Sequence, residues 1–257
     1  MINNLAQYSL FAPFFAIVFG SIFGSVGNML IYRLPRHLDI VWKPSSCPHC
    51  STSLRWNELI PIFSYMFQKG RCRQCHQPIH YRYLIVELLF VFTSLYVVYP
   101  ASAFYLDFHF LCVSYCLLIL FFTDLETYTL PLSITLFLLL LGLVISHSLL
   151  LTWAFIWPFS AFIGGLLLFR LASNAYYKQD TFGLGDIILF AGLALNFSTY
   201  IAFLSLYLAI ILGGISSVIC LALKLKKRKD SIPFAPFIIL GFYLSIHLDS
   251  QIIAFLL

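Results

Sequence analysis

The chain has 257 residues, of which 61% are hydrophobic and only 10% charged, with a mean hydropathy of +0.93. A soluble domain carries about 25% charged residues, so this composition excludes a soluble globular protein and indicates a polytopic membrane protein. The net charge of +5 is not a nucleic-acid signal, because basic residues of membrane proteins gather on the cytoplasmic side.

At roughly 20 residues per span, the apolar runs predict an all-α chain of about eight transmembrane helices with one polar module. Met1 to Leu10 has no Lys or Arg ahead of its apolar run, so it lacks the charged start of a cleavable signal peptide. The first helix, about Leu10 to Ile31, is therefore expected to be retained. It carries Gly20, Gly24 and Gly27 with Ser21 and Ser25, a spacing of small residues that lets a neighbouring helix approach closely.

From Arg33 to Arg82 the chain changes character. This polar stretch holds eight of the fifteen Lys and Arg residues and four of the seven cysteines, and the positive-inside rule places it in the cytoplasm. Cys47-Pro-His-Cys50 and Cys72-Arg-Gln-Cys75 are separated by 21 residues, close to the four-thiolate zinc pattern. Two Cys three apart on a tight turn hold one metal, and two such turns complete a tetrahedron. So short a polar segment buries little core, and a metal would help it fold. A reducing compartment disfavours disulfides, which leaves structural zinc, redox chemistry and free thiols as the readings, with zinc favoured by the spacing. His49, His76 and His80 lie near enough to be substitute ligands.

The second helix is expected from about Tyr83 to Val98, with Glu87 near its start paired with Arg82 or a similar base. Pro100 to Asp107 is expected to turn on the far side. A third helix, about Phe108 to Thr123, delivers Asp124 and Glu126 to the inner face. Pro131 opens the fourth helix, which ends near Ser148 to Thr152, and the fifth runs from about Trp153 to Leu171. Gly183-Leu-Gly-Asp186 opens the sixth, which ends near Asn196, and the seventh, about Tyr200 to Leu223, meets Lys224 to Lys229. The eighth starts at about Phe234. With the N-terminus outside, every Lys and Arg then falls on the cytoplasmic side, and so do Asp124 and Asp186. The basic run 224–229 reads as a topology anchor, with anionic-lipid contact second. Cys112, Cys116 and Cys220 read as small hydrophobes.

Carboxylates at the mouth of membrane helices are costly. Asp186 sits where an N-cap belongs, and intramembrane acids also serve ion transport. Two aspartates on one membrane face suit a third role, an aspartic peptidase, in which two carboxylates share one proton. Gly183 and Gly185 let the backbone come close to a substrate or a neighbouring helix. Glu126, two residues from Asp124, lies on a different helical face and is a secondary candidate for positioning substrate.

The chain resembles the prepilin peptidase (type IV leader peptidase) family along nearly its whole length. The match runs through Gly24-Ser25, Asn28 and Tyr32-Arg33-Leu34-Pro35, then Cys47-Pro-His-Cys50, Trp56-Asn-Glu-Leu-Ile-Pro61 and Gly70-Arg-Cys-Arg-Gln-Cys75. It continues through Ile79, Arg82-Tyr83, Val86-Glu-Leu-Leu89, Asp124, Leu130-Pro131, Gly183-Leu-Gly-Asp186 and Pro233-Phe-Ala-Pro236. The resemblance implies a bifunctional, multi-pass enzyme of the bacterial inner membrane, and the charge map puts its N-terminus in the periplasm. It would cut the leader of type IV prepilins or type II secretion pseudopilins after a glycine, then N-methylate the new terminus with S-adenosylmethionine. It gives Asp124 and Asp186 the catalytic roles and Cys47, Cys50, Cys72 and Cys75 the Zn2+ role. Where family members often have Lys, Asp and Phe-Gly-Pro, this chain has Ile188, Leu132 and Phe234-Ala235-Pro236. No glycine-rich cofactor loop is evident, so methylation rests on the resemblance.

The expected division is 1–32 as the first transmembrane helix, 33–83 as the zinc-binding module and 84–257 as the peptidase domain, with precursor proteins and membrane lipid as partners. The rival reading is a non-enzymatic, zinc-stabilised assembly component or an ion-coupled transporter.

Overall fold

The computed structural model describes residues 2–98, 104–146, 153–180, 182–227 and 230–256. Among them the chain is all-α, with no strand and two isolated bridges, Ser46 to Ser53 and Arg71 to Pro78. The helices are α1 (Ile2–Arg33), α2 (Phe63–Phe67), α3 (Arg82–Val98), α4 (Phe104–Thr127), α5 (Leu132–Ser146), α6 (Trp153–Tyr177), α7 (Leu184–Asn196), α8 (Thr199–Ala222) and α9 (Ala235–Leu256). In lipid no water is available to the backbone, so each segment must bond its own N–H and C=O groups. Four stretches, Ala12–Arg36, Phe108–Thr127, Trp153–Tyr177 and Thr199–Ala222, are long and apolar enough to cross a membrane; Leu132–Ser146, Leu184–Asn196 and Ala235–Leu248 are shorter apolar helices. The protein is a membrane protein.

Helix ends overrun the apolar runs that predict them. α6 continues to Tyr177 and α4 to Thr127, so Asp124 lies inside the last turns of α4 rather than after it. Hydropathy marks what lipid tolerates, whereas helical hydrogen bonding continues into polar sequence. The predicted far-side turn from Pro100 to Asp107 is shortened in the same way, since α4 already begins at Phe104. Its residues 99–103, the predicted helix end at 148–152, and Arg228 and Lys229 lie outside the described residues.

The chain forms two compact units, Met1–Ile119 and Leu120–Leu257, with the boundary inside α4. In the first, the small-residue stripe of α1 lies against α3. A Cβ on Gly20 would sit 2.7 Å from the Val91 Cα, and one on Gly24 2.8 Å from the Glu87 Cα, so only glycine permits this backbone approach. Tyr115 completes the core, its ring beside Phe23 and Phe90 and its hydroxyl 2.6 Å from Ser94 Oγ.

The polar module is built on α1 and α3. Arg33, 7% exposed, donates to the carbonyls of Asp39, Lys43 and Pro44 at 2.9, 2.8 and 3.2 Å. A residue expected only as a topology signal thus folds the first turn of the module. Glu87 also departs from its expected pairing with Arg82. Its Oε2 accepts from the Ile62 N–H at 2.6 Å. Ile62 has φ +65° and ψ −56° and centres a γ-turn closed from Phe63 N–H to Pro61 O. That conformation is strained for a β-branched residue, and the Glu87 carboxylate supplies the acceptor that holds it.

In the second unit α7 is the central element, with every side chain from Leu189 to Asn196 buried. α5 packs on it through glycine: a Cβ on Gly142 would meet Leu195 Cβ at 2.5 Å, and one on Gly192 would meet Leu138 at 2.9 Å. The Asn196 amide donates to Leu138 O and Gly192 O at 2.8 and 2.7 Å. α8 and α9 pair at Gly241, whose Cβ would lie 2.7 Å from Ser205 O. α6 has only Leu166 buried, and its apolar surface suits contact with acyl chains. A buried, apolar α7 leaves its N-terminus as the polar end of the unit.

Candidate active site and metal centre

Asp186 lies at the third helical position of α7, and the N-cap is Gly183, with extended backbone (φ −66°, ψ 136°). The expected N-cap role is therefore corrected: Asp186 instead reaches back to accept from the backbone N–H of Gly183, half of a capping box. A Cβ on Gly183 would stand 2.9 Å from Asp186 Oδ2, and one on Gly185 3.1 Å from Leu130 Cβ. The two glycines of the motif therefore make room for the carboxylate and for the Leu130-Pro131 turn.

The loop entering α7 is fixed by α6. Arg170 donates to Phe182 O and, at 2.9 Å, to Asp180 Oδ1, which also accepts from Asn174 at 2.9 Å. The Phe182 ring then lies against Phe169 and Phe234, which brings the loop beside the start of α9.

Asp124, 6% exposed, is held from the other side. Its Oδ2 accepts from the Ala235 N–H at 3.0 Å, and the Phe234 amide lies near enough to act on its charge. These are free donors of the α9 N-terminus, which carries partial positive charge. Asp186 lies close enough to Asp124 for their charges to repel. The structure thus brings together the two aspartates that sequence reasoning selects. Glu126, two residues on, is exposed, as its different helical face requires. The backbone donors at Phe234 and Ala235 have no side-chain signature. The pattern Pro233-Phe-Ala-Pro236, two unbonded amides between prolines at a helix start, is the signal that could have found them.

In the first unit the four sulfurs of Cys47, Cys50, Cys72 and Cys75 all lie within 4.8 Å of one another. Cys47 to Cys75 is 3.8 Å and Cys50 to Cys72 is 4.0 Å. With Zn–S near 2.3 Å a regular tetrahedron has S···S edges of about 3.8 Å, so the donor set fits a metal ion of that geometry. The two knuckles repeat one fold. Cys47 N–H donates to Thr52 O and Ser51 N–H to Cys47 O; Cys72 N–H donates to Gln77 O and His76 N–H to Cys72 O. Ser51 (φ +57°) and His76 (φ +55°) make the matching left-handed turns. The Thr52 hydroxyl and backbone hold the Cys50 thiol down to about 6 and the backbone amides of Cys75 and Gln74 lower Cys72, whereas Cys75, despite the Gln77 amide, is pushed up to about 11 by burial and the neighbouring sulfurs. Among the described residues no histidine joins the cluster; His80 Nδ1 instead accepts from the Arg82 N–H.

Two family models match the chain, the bacterial Peptidase A24 N-terminal domain over residues 18–101 and the type IV leader peptidase family over residues 111–218. Among curated proteins, a prepilin leader peptidase/N-methyltransferase of Legionella pneumophila is 30% identical, covering 93% of this chain and 92% of its own. One of Vibrio cholerae is 31% identical over 86% and 90%. The type 4 prepilin-like proteins leader peptide-processing enzyme of Escherichia coli is 29% identical over 95% and 97%. No solved structure matches.

Proposed function

Since the chain belongs to the type IV leader peptidase family, we propose that it is an aspartic endopeptidase of the bacterial inner membrane. It removes the leader of type IV prepilins or type II secretion pseudopilins after a glycine, at the cytoplasmic face. The observation that carries this reading is the pairing of Asp124 and Asp186, each at a helix end and each held by backbone N–H groups.

The Asp124 charge repels that of Asp186, which favours a pair that holds one proton between them. The ionised carboxylate takes a proton from a water as it attacks the scissile carbonyl. The protonated one hydrogen-bonds the carbonyl oxygen as charge develops there. Collapse of the tetrahedral adduct passes a proton to the departing amine, leaving a carboxylate on the leader and a free N-terminus on the product.

The topology supports the same reading, since placing the N-terminus in the periplasm puts every Lys and Arg, and both aspartates, on the cytoplasmic side. Residues 1–32 are then the first transmembrane helix, 33–83 the module in which Cys47, Cys50, Cys72 and Cys75 hold a structural Zn2+, and 84–257 the peptidase domain. A four-thiolate site is closed, so the zinc supplies folding energy and no step of the cleavage. The new N-terminus is N-methylated, with S-adenosylmethionine as the methyl donor; this half of the activity is supported by the names of the relatives.

Gly183→Ala tests the geometry. Gly183 is exposed, so the fold is expected to survive, but the added methyl displaces Asp186 Oδ2. A ~1 Å misplacement of a reacting group can cost about 10²-fold. Cleavage is therefore expected to fall at least roughly ten-fold, with the thermal unfolding midpoint of the detergent-purified protein unchanged. The overall function is tested by incubating purified protein with a prepilin precursor and reading the N-terminus of the product.

A further inference from the structure

The basic run that follows α8 has a member unlike its neighbours. Lys224, Leu225 and Lys227 are exposed, whereas Lys226 is half-buried. Its Nζ donates to the Tyr128 hydroxyl at 3.1 Å and to the Ser231 carbonyl, and the ammonium stands 5.2 Å from the centroid of the Tyr128 ring. A lysine that only marks topology needs none of these partners.

Both partners lead to Asp124. Tyr128 has φ +56°, in the left-handed region, and its N–H donates to the Asp124 carbonyl at 3.0 Å, closing the end of α4. That conformation is uncommon for a bulky residue and needs holding in place. α4 has no basic residue in its own last turn, and the Lys226 ammonium next to the helix end supplies the cation that a helix C-terminus favours. On the other side, Ser231 is four residues before Ala235, whose N–H holds the Asp124 carboxylate. Pro233 lies between them and stiffens the connection. Lys227 N–H donates to Asp230 Oδ2 at 2.7 Å and Asp230 N–H to Lys227 O at 3.0 Å, so the chain next to Lys226 is tied to the segment that leads to Ser231. The contacts form a closed ring from Lys226 through Tyr128, Asp124, Ala235 and Ser231 back to Lys226.

We propose that Lys226 is a positioning residue for the peptidase reaction, clamping the Tyr128 turn to the Ser231 strand of chain so that Asp124 stays seated on the Ala235 amide. This rests on the reading of Asp124 as a member of the catalytic pair. The ammonium acts through the backbone on either side of the carboxylate and touches neither substrate nor the reacting atoms.

The test compares Lys226→Ala with Lys224→Ala and Lys227→Ala, which remove the same charge from the same loop, in purified protein acting on a prepilin precursor. Lys226→Ala is expected to lower kcat roughly ten-fold with KM unchanged, as a displaced reacting group would. Lys226→Arg, which keeps the charge and the donors, is expected to restore most of the rate, and the two control variants are expected to match the parent. Hydrogen–deuterium exchange of the parent and variants, which needs no substrate, is expected to be faster at the Tyr128 and Ala235 amides in Lys226→Ala alone. Equal loss of rate in all three alanine variants would reduce the lysine to a share of the loop's charge and overturn the proposal. So would unchanged exchange, or faster exchange with an unchanged kcat. If Asp124→Asn still cleaves, the catalytic reading fails, and the exchange comparison still decides whether the clamp exists.

Discussion

Replacing either Asp124 or Asp186 with Asn is expected to stop precursor cleavage while leaving the fold and the bound metal in place. Positioned acid–base groups contribute about 10²–10⁴-fold each, and in the proposed mechanism one proton serves two carboxylates, so losing either partner removes both functions of the pair. Asn is nearly isosteric and can still accept the Ala235 N–H with its carbonyl oxygen, which keeps the α9 entrance intact. The same logic predicts that the double variant is scarcely worse than either single one, because groups that act as a unit are not additive. Cleavage rate and metal content, measured on the same preparation, check the expectation. Metal content is the internal control, since the four cysteines belong to the other compact unit.

The second large effect concerns the metal. Purified protein is expected to hold about one zinc per chain, and removing it, by a strong chelator or by Cys72→Ser, is expected to unfold the polar module. Structural zinc contributes on the order of 10–16 kcal/mol in small zinc-dependent folds, and little buried apolar surface holds this segment together. α2 has no buried residue, and Val41, Trp42, Trp56 and Phe67 are all at least 76% exposed. Both knuckles turn back on backbone bonds made around Cys47 and Cys72, so losing the metal loosens the two turns together. Limited trypsin digestion gives the readout, because Arg55, Arg71 and Arg73 lie in or beside the knuckles. Rapid cutting there in metal-free protein, and slow cutting in the zinc-loaded form, is the expected pattern. Protein purified without a chelator that holds no metal, yet resists trypsin, would contradict it.

The candidate site of this chain is legible in its sequence because its polar residues are so few. In a membrane protein an aspartate at the mouth of an apolar run has few bland explanations, and Asp124 and Asp186 stood out on that ground. The four cysteines were equally plain, since their spacing is set by metal geometry. What could not be read were contacts made through backbone groups. Arg33 reads as a topology signal and Glu87 as a helix-start charge paired with Arg82, yet one organises carbonyls of the polar module and the other holds a strained turn at Ile62. Only the prolines that flank Phe234 and Ala235 hint that the amide of Ala235 faces Asp124. Helix ends were misjudged for a related reason: hydropathy reports where lipid stops, and α4 and α6 run on past that point. Gly183 reads as letting the backbone come close to a substrate or a neighbouring helix, whereas its bare Cα makes space for the Asp186 oxygen.

The most direct test of the central claim is the mass and N-terminal sequence of the product formed when the purified protein is incubated with a prepilin precursor in lipid or detergent. The account predicts a product that begins at the residue after the leader glycine, heavier by one methyl group when S-adenosylmethionine is supplied, and no product from the Asp124→Asn or Asp186→Asn proteins. A precursor left intact by the parent protein, or cut as well by either variant, would contradict it.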